Sequence, residues 1–170
     1  MIQRMELIAL ARQKAMVYCR QPGCKYAPDP CQDPTHLRLD GDLVCAIAEQ
    51  ESSWNPWEIR FEPGFLSKYI VPIEEKDKIR PTEAYARSFS WGLMQVMGED
   101  AREDGFTGVS LAELCDPPVG LDAGCKRFAR IVRRVGAIPD AQSVALLHWN
   151  GGADPNYPCQ VLARLPAYNA

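Results

Sequence analysis

The sequence predicts a mainly α-helical domain, on three observations. Apolar residues recur at helical spacing, caps and stops punctuate the chain, and strand-like alternation is scarce. Val44, Ile47, Ala48 and position 51 fall i, i+3, i+4, i+7. Leu121, Cys125, Phe128, Ile131, Val132 and Val135 form a longer stripe closed by Gly136.

Each element follows in order. Residues 2–18 read as an amphipathic helix, and residues 20–36, with Pro22, Pro28, Pro30 and Pro34, as an irregular loop. Asp40 or Asp42 can cap the next helix, which Asn55-Pro56 stops. Residues 57–88 read as a long surface excursion with short helices at 64–70 and 81–87. Gly92 to Met97 is short and apolar and leads into a helix over Glu99–Glu103. Ser110 caps a short helix to Leu114, and Asp116-Pro117 opens the long stripe. Asp140 caps a helix through Trp149, and Asp154-Pro155 opens a last one to about Arg164. The expectation is about five to seven helices in one domain, with an N-terminal helix and Cys/Pro-rich loop over 1–38 and a core over 39–170.

With 170 residues the chain can bury one real core. It is 46% hydrophobic and 24% charged, with a net charge of −3. No apolar run approaches the roughly 20 residues of a membrane span. The charge balance gives no electrostatic reason for nucleic acid, so a polymer substrate must be held by shape and hydrogen bonds. The first residues lack the continuous apolar stretch of a signal peptide. A chain kept in the cytoplasm, an export route that reads no signal, and a trimmed signal all stay open.

Seven cysteines are present, and Cys19, Cys24, Cys31 and His36 form C-x4-C-x6-C-x4-H. The spacing lacks the tight C-x2-C of many zinc modules, so a disulfide within the loop is expected ahead of zinc, with free thiols also open. No metal and no cofactor are expected. Cys45 and Cys125, in helical patterns, read as small buried hydrophobes.

Glu51 carries the chemistry. It lies on the apolar side of its helix, near the C-terminal end, while Glu49 and Gln50 face away. Burial and the helix dipole both disfavour its charge and raise its pKa. A carboxylic acid that keeps its proton near neutral pH suits general-acid cleavage of a glycosidic bond. From this helix alone, a structural Glu bonded to a neighbour is the commoner meaning.

Four segments shift that balance. They are Glu51-Ser52-Ser53-Trp54-Asn55-Pro56, Gly92-Leu93-Met94-Gln95, Asp116-Pro117-Pro118-Val119-Gly120-Leu121-Asp122-Ala123-Gly124, and Ala145-Leu146-Leu147-His148-Trp149-Asn150-Gly151-Gly152. In this order they resemble the soluble lytic transglycosylases, lysozyme-like enzymes that cleave bacterial peptidoglycan and are related to goose-type lysozyme. The resemblance covers roughly residues 40–165. It implies a lysozyme-like α fold with a substrate cleft and makes Glu51 the single catalytic acid. Many glycosidases flank the bond with two carboxylates, whereas this family works with one. The implied partner is the glycan strand of peptidoglycan, met by a monomer without stable membrane insertion. Action on the wall implies a periplasmic or extracellular site, and the compact domain suggests a phage or prophage enzyme.

Other motif residues have plainer roles. Ser52 bonds substrate or caps the helix end. Leu93 and Met94 line cleft or core, and Gln95 is an amide suited to sugar acetamido or hydroxyl groups. Asn150 caps a turn and can reach substrate. Tyr85, Trp91, Trp149 and Tyr157 are candidates for stacking on sugar rings.

The chain departs from the family pattern in three places. Trp149 stands where a Tyr usually contacts the catalytic Glu, and an indole N–H donates but cannot accept. The segment Trp57 to Phe89 is longer than usual and carries Glu58, Glu62, Glu74, Glu75, Asp77 and Glu83. One of these could orient water as a second carboxylate and give hydrolysis. Glu83 is the first choice, although an exposed helix charge is its commoner meaning. The third departure is the Cys-rich N-terminal segment. Two alternatives accompany the lyase expectation: a hydrolytic muramidase on the same fold, and a non-catalytic wall-binding or phage-tail protein.

Overall fold

A computed structural model of the chain describes residues 3–25 and 31–169. Ile2, Pro28 and Pro30, placed above in a helix and a loop, lie outside them. In chain order the elements are α1 (Arg4–Ala15), α2 (Gly41–Ser52), β1 (Ile59–Phe61), α3 (Pro63–Phe65), α4 (Val71–Asp77), α5 (Pro81–Arg87), β2 (Phe89–Trp91), β3 (Val96–Met97), α6 (Gly98–Glu103), α7 (Pro117–Val135), α8 (Ala141–Trp149) and α9 (Tyr157–Leu162). A π-turn, Leu66–Ile70, fuses α3 to α4, and 3-10 turns occupy Leu111–Cys115 and Leu165–Ala167.

Helix α2 is the centre of the core. Asp40 accepts hydrogen bonds from the backbone N–H groups of Asp42 and Leu43 and so starts it. Leu43 through Ala48 are all buried. Helix α1 lays Leu7, Ile8, Ala11 and Ala15 against it, and α1 also packs on α7. One hydrophobic cluster runs from Leu7 through α2, α7 and α8 to Val161 and Tyr168. The C-terminal end is pinned back onto α2. Tyr168 donates to Glu49 at 2.6 Å, and Trp54 Nε1 donates to the Tyr168 hydroxyl at 2.9 Å.

Helix α2 stops earlier than Asn55-Pro56 suggests. Ser53 and Trp54 both take positive φ, 51° and 65°, and turn the chain immediately after Ser52. Left-handed backbone at two non-glycine residues is strained, and it persists here because Trp54 is buried against Tyr168.

Strand is scarce, as expected, and confined to one small sheet. An antiparallel sheet in the order β1-β2-β3 pairs Ile59 with Trp91 and Trp91 with Val96. Its strands are two or three residues long, too short to show alternation, and β1 is exposed along its length. The helix expected at 64–70 exists, but it begins at Pro63 and continues to Asp77. The helix expected at 81–87 lies where it was placed. Asp116 and Asp140 precede α7 and α8 without capping them through their side chains, and α9 starts at Tyr157, later than Asp154-Pro155 suggested.

The expected loop disulfide does not form. All seven cysteines lie in described positions and none is in a disulfide. Cys45 and Cys125 are fully buried, and burial pushes the Cys45 thiol up to about 12.

Two glycines let backbone layers meet around α7. Gly92 turns β2 toward β3 at φ +68°, where a Cβ would meet the Leu114 carbonyl oxygen at 2.3 Å. Gly124 faces Met94, whose sulfur would lie 2.3 Å from an added Cβ.

Candidate active site

Three helix ends converge on one carboxyl. Glu51 sits in the last turn of α2, Trp149 ends α8, and Tyr157 begins α9. The Tyr157 hydroxyl donates to Glu51 Oε1 at 2.5 Å, and Trp149 Nε1 donates to the same oxygen at 3.1 Å. Among the described residues nothing donates to Oε2. The carboxyl is therefore asymmetric. Oε1 is held as an acceptor by two fixed donors, so the proton of the neutral acid belongs on Oε2.

Burial raises the Glu51 pKa above the ordinary carboxylate range. The bonds from Tyr157 and Trp149, and then the charge of Arg60, pull the other way without cancelling it. Tyr157 is raised as well, first by burial and then by the Glu51 charge, so its hydroxyl stays a donor. Trp149 is fixed by an edge-on contact with Phe128 of α7, with ring centres 5.7 Å apart.

The indole at position 149 thus keeps the contact that the family makes through a Tyr, by donation alone. Tyr157 supplies a hydroxyl there too. Its placement among sugar-stacking residues is corrected: the ring is only 4% exposed, and its polar tip serves Glu51.

Several other predicted site residues are occupied by the framework. Ser52 Oγ lies 3.0 Å from the Ala48 carbonyl and 2.9 Å from that of Leu93, and it ties α2 to the Gly92–Gln95 turn. Met94 is buried in the core against Gly124. Gln95 has φ +49°, donates to the Glu58 and Gly92 carbonyls and accepts from Ser90 Oγ, so its amide braces the sheet. Asn150 accepts from the Asp154 backbone N–H at 2.7 Å and shapes the turn before α9. Trp91 is buried and donates to the Ala86 carbonyl.

Tyr85 differs. It is 55% exposed and stacks on Phe61, which packs on Phe89. Trp57 and Ile59, just before and at the start of β1, are exposed as well. Glu83 lies on the same helix as Tyr85 but bonds Arg102 at 2.7 Å and Arg87 at 3.2 Å. Burial alone would raise its pKa, yet these two guanidinium groups hold it below the usual range. A carboxylate gripped this way gives no support to a water-orienting role.

The sequence reading missed two features. Arg60, on exposed β1, is the charged group acting on Glu51, and nothing in its neighbours marks it. A cleft of about 390 Å³ also opens beside Trp149, lined by Trp149, His148, Asp100, Arg127, Arg130 and Arg134 among others. Arg127 bonds Asp100 at 2.5 Å. The arginines recur at helical spacing on α7, opposite its apolar stripe, which is a signal that could have been read.

The α-helical frame, the short antiparallel sheet and the carboxyl at the end of a core helix define a lysozyme-like domain. The family model for the transglycosylase SLT domain matches residues 34–170, and the chain belongs to that family. Comparison with curated proteins and with solved structures gives no match. Membership makes the chain, in general terms, a transglycosylase acting on peptidoglycan. Among the described residues no helix is long and apolar enough to cross a membrane.

Proposed function

We propose that the chain is a lytic transglycosylase that cleaves the β-1,4 bond between N-acetylmuramic acid and N-acetylglucosamine, with Glu51 as sole acid and base. The observation that carries this reading is the asymmetric carboxyl, whose Oε1 is fixed by Tyr157 and Trp149 while Oε2 is left for the substrate.

Glu51 Oε2 delivers its proton to the glycosidic oxygen as the bond from the anomeric carbon to that oxygen breaks. The N-acetylglucosamine side leaves as an alcohol. The acetamido carbonyl of N-acetylmuramic acid bonds the anomeric carbon and takes up the positive charge. Glu51, now a carboxylate, is stabilised by the two donors on Oε1. It removes the proton from the C6 hydroxyl, O6 replaces the acetamido oxygen, and a 1,6-anhydro ring closes. The proton is back on Glu51 and no water is consumed.

Arg60, whose charge reaches Glu51, is itself paired with Glu62 at 2.6 Å. The hydrolytic alternative needs a second carboxylate, and its first candidate is tied to Arg87 and Arg102. The stacked, partly exposed rings of Phe61 and Tyr85 offer a sugar-stacking surface. Peptidoglycan as substrate places the work in the periplasm or outside the cell.

Purified sacculi digested with the protein test the reaction. Anhydro-muramic ends are expected. Reducing muramic ends would establish hydrolysis instead, and no cleavage by wild type would leave a wall-binding protein.

A further inference from the structure

The loop between α1 and α2 has its own small core, which among the described residues consists of Cys19, Cys24 and Cys31. Three thiols bury little apolar surface, so hydrophobic packing alone is a weak reason for this loop to hold its shape. His36 joins them. The three sulfurs and a ring nitrogen of His36 all lie within 4.8 Å of one another. Cys31 Sγ is 3.5 Å from Cys24 Sγ and 3.2 Å from His36 Nδ1. Tetrahedral zinc with bonds of about 2.0–2.3 Å sets its donors about 3.3–3.8 Å apart.

Two surrounding groups point to the same occupant. His36 turns its other nitrogen, Nε2, toward Asp33 Oδ2 at 3.5 Å. Asp33 is itself held by the Thr35 backbone N–H and hydroxyl. A carboxylate on the far side of a histidine keeps the proton there and leaves Nδ1 free to ligate. Arg133 of α7 is the second group. It is only 9% exposed, its Nη1 donates to the Cys19 carbonyl and lies 4.0 Å from Cys19 Sγ, and its Nη2 is buried without a partner. Among the described residues no carboxylate pairs with it. A buried cation without a counter-charge is costly. Three thiolates and a neutral imidazole around a divalent ion carry a net negative charge and would supply one. A disulfide would use two of the sulfurs, leave the third and His36 idle, and leave Arg133 unbalanced.

We propose that Cys19, Cys24, Cys31 and His36 bind one structural zinc ion, which clips the end of α1 to the start of α2. Soft thiolate donors in a tetrahedral set with one imidazole select zinc among common divalent ions. Each thiol loses its proton on binding, and with no ligand position left open the site is structural. The chain around the site is already framed for closure. Cys31 N–H bonds the Val17 carbonyl, Leu39 N–H bonds that of Tyr18, and Arg38 holds the Cys31 and Asp33 carbonyls. Asp40, which caps the helix carrying Glu51, follows directly. Cys19, Cys24 and Cys31 precede residue 34, where the family match begins. The clip is therefore an addition to the family domain.

The test is metal analysis of the purified full chain, with a readout independent of activity. One zinc per chain is expected, lost on treatment with a strong chelator. Cobalt added to the metal-free chain should give visible ligand-field bands and a thiolate charge-transfer band. Cys24→Ser and Cys31→Ser should lose that spectrum, while Cys159→Ser, at an exposed position, should keep it. Because the cobalt titration uses the wild-type chain, it decides the matter even if the serine variants do not fold. No retained zinc together with no cobalt–thiolate band would overturn the proposal, as would a Cys24–Cys31 disulfide found by non-reducing mass spectrometry of the freshly purified protein.

Discussion

The Tyr157 hydroxyl sits 2.5 Å from Glu51 Oε1 and fixes which oxygen of that carboxyl accepts and which carries the proton. Trp149 reinforces the same choice from α8. Tyr157→Phe removes the stronger donor without changing the packed ring. Because the lost bond favours the carboxylate, the alkaline limb of the pH–rate profile should move to higher pH. Above that limb the variant should also be about 1–2 kcal/mol less stable than wild type, measured by denaturant unfolding. An unmoved limb would mean that the hydroxyl does not act on the catalytic carboxyl.

Trp149→Phe separates donation from packing. The phenyl ring can keep its edge contact with Phe128, but the N–H is lost. The limb should shift in the same direction as in Tyr157→Phe, with the fold intact by circular dichroism. Trp149→Tyr places a hydroxyl donor there again and should restore part of the shift. Equal behaviour of the Phe and Tyr variants would show that only ring volume matters.

Stability should depend on pH through Glu51 in a defined sense. Its folded pKa lies above the ordinary value because burial outweighs Tyr157, Trp149 and Arg60. Such a group contributes stability that is complete below the unfolded pKa and is lost as pH rises through the folded pKa. Glu51→Gln keeps an acceptor for both donors and never ionises. Its melting temperature should match or exceed wild type at pH 8, and the difference should shrink toward pH 4. A variant that melts lower at pH 8 and level at pH 4 would reverse the sign and contradict the account.

The opposite sign is expected at Glu83. Its folded pKa is held below the ordinary value by Arg102 and Arg87. That stability is present above the unfolded pKa and lost as pH falls through the folded one. Glu83→Gln should cost about 1 kcal/mol at pH 7 and less at pH 3, since the pairs are partly exposed. Product type should not change. A loss of cleavage with an unchanged melting temperature would restore Glu83 as a second carboxylate.

How much of this was legible in the sequence depends on element length. Helix α7 announced itself, because six apolar residues keep helical register over about four turns and Gly136 stops them. The sheet did not, because two- and three-residue strands have no period to display and β1 buries no face. The same division holds at the site. Glu51 was visible as a carboxyl on the apolar stripe of α2, since that signal is local. Its partners Tyr157 and Trp149 lie 106 and 98 residues away, and only the crossing of three helices brings them to one oxygen. Gln95 and Ser52 read as polar groups available to substrate. Their backbone acceptors across the Gly92–Gln95 turn are created by the fold, and no spacing rule contains them.

The most direct test of the central claim is the product spectrum of sacculi digested by wild type and by Glu51→Gln at the wild-type pH optimum, read by mass spectrometry. The account predicts anhydro-muramic ends from wild type and a rate lower by about a hundred- to ten-thousand-fold from the folded Gln variant. Anhydro-muramic ends released at a comparable rate by both proteins would show that Glu51 is not the acid and base of this reaction.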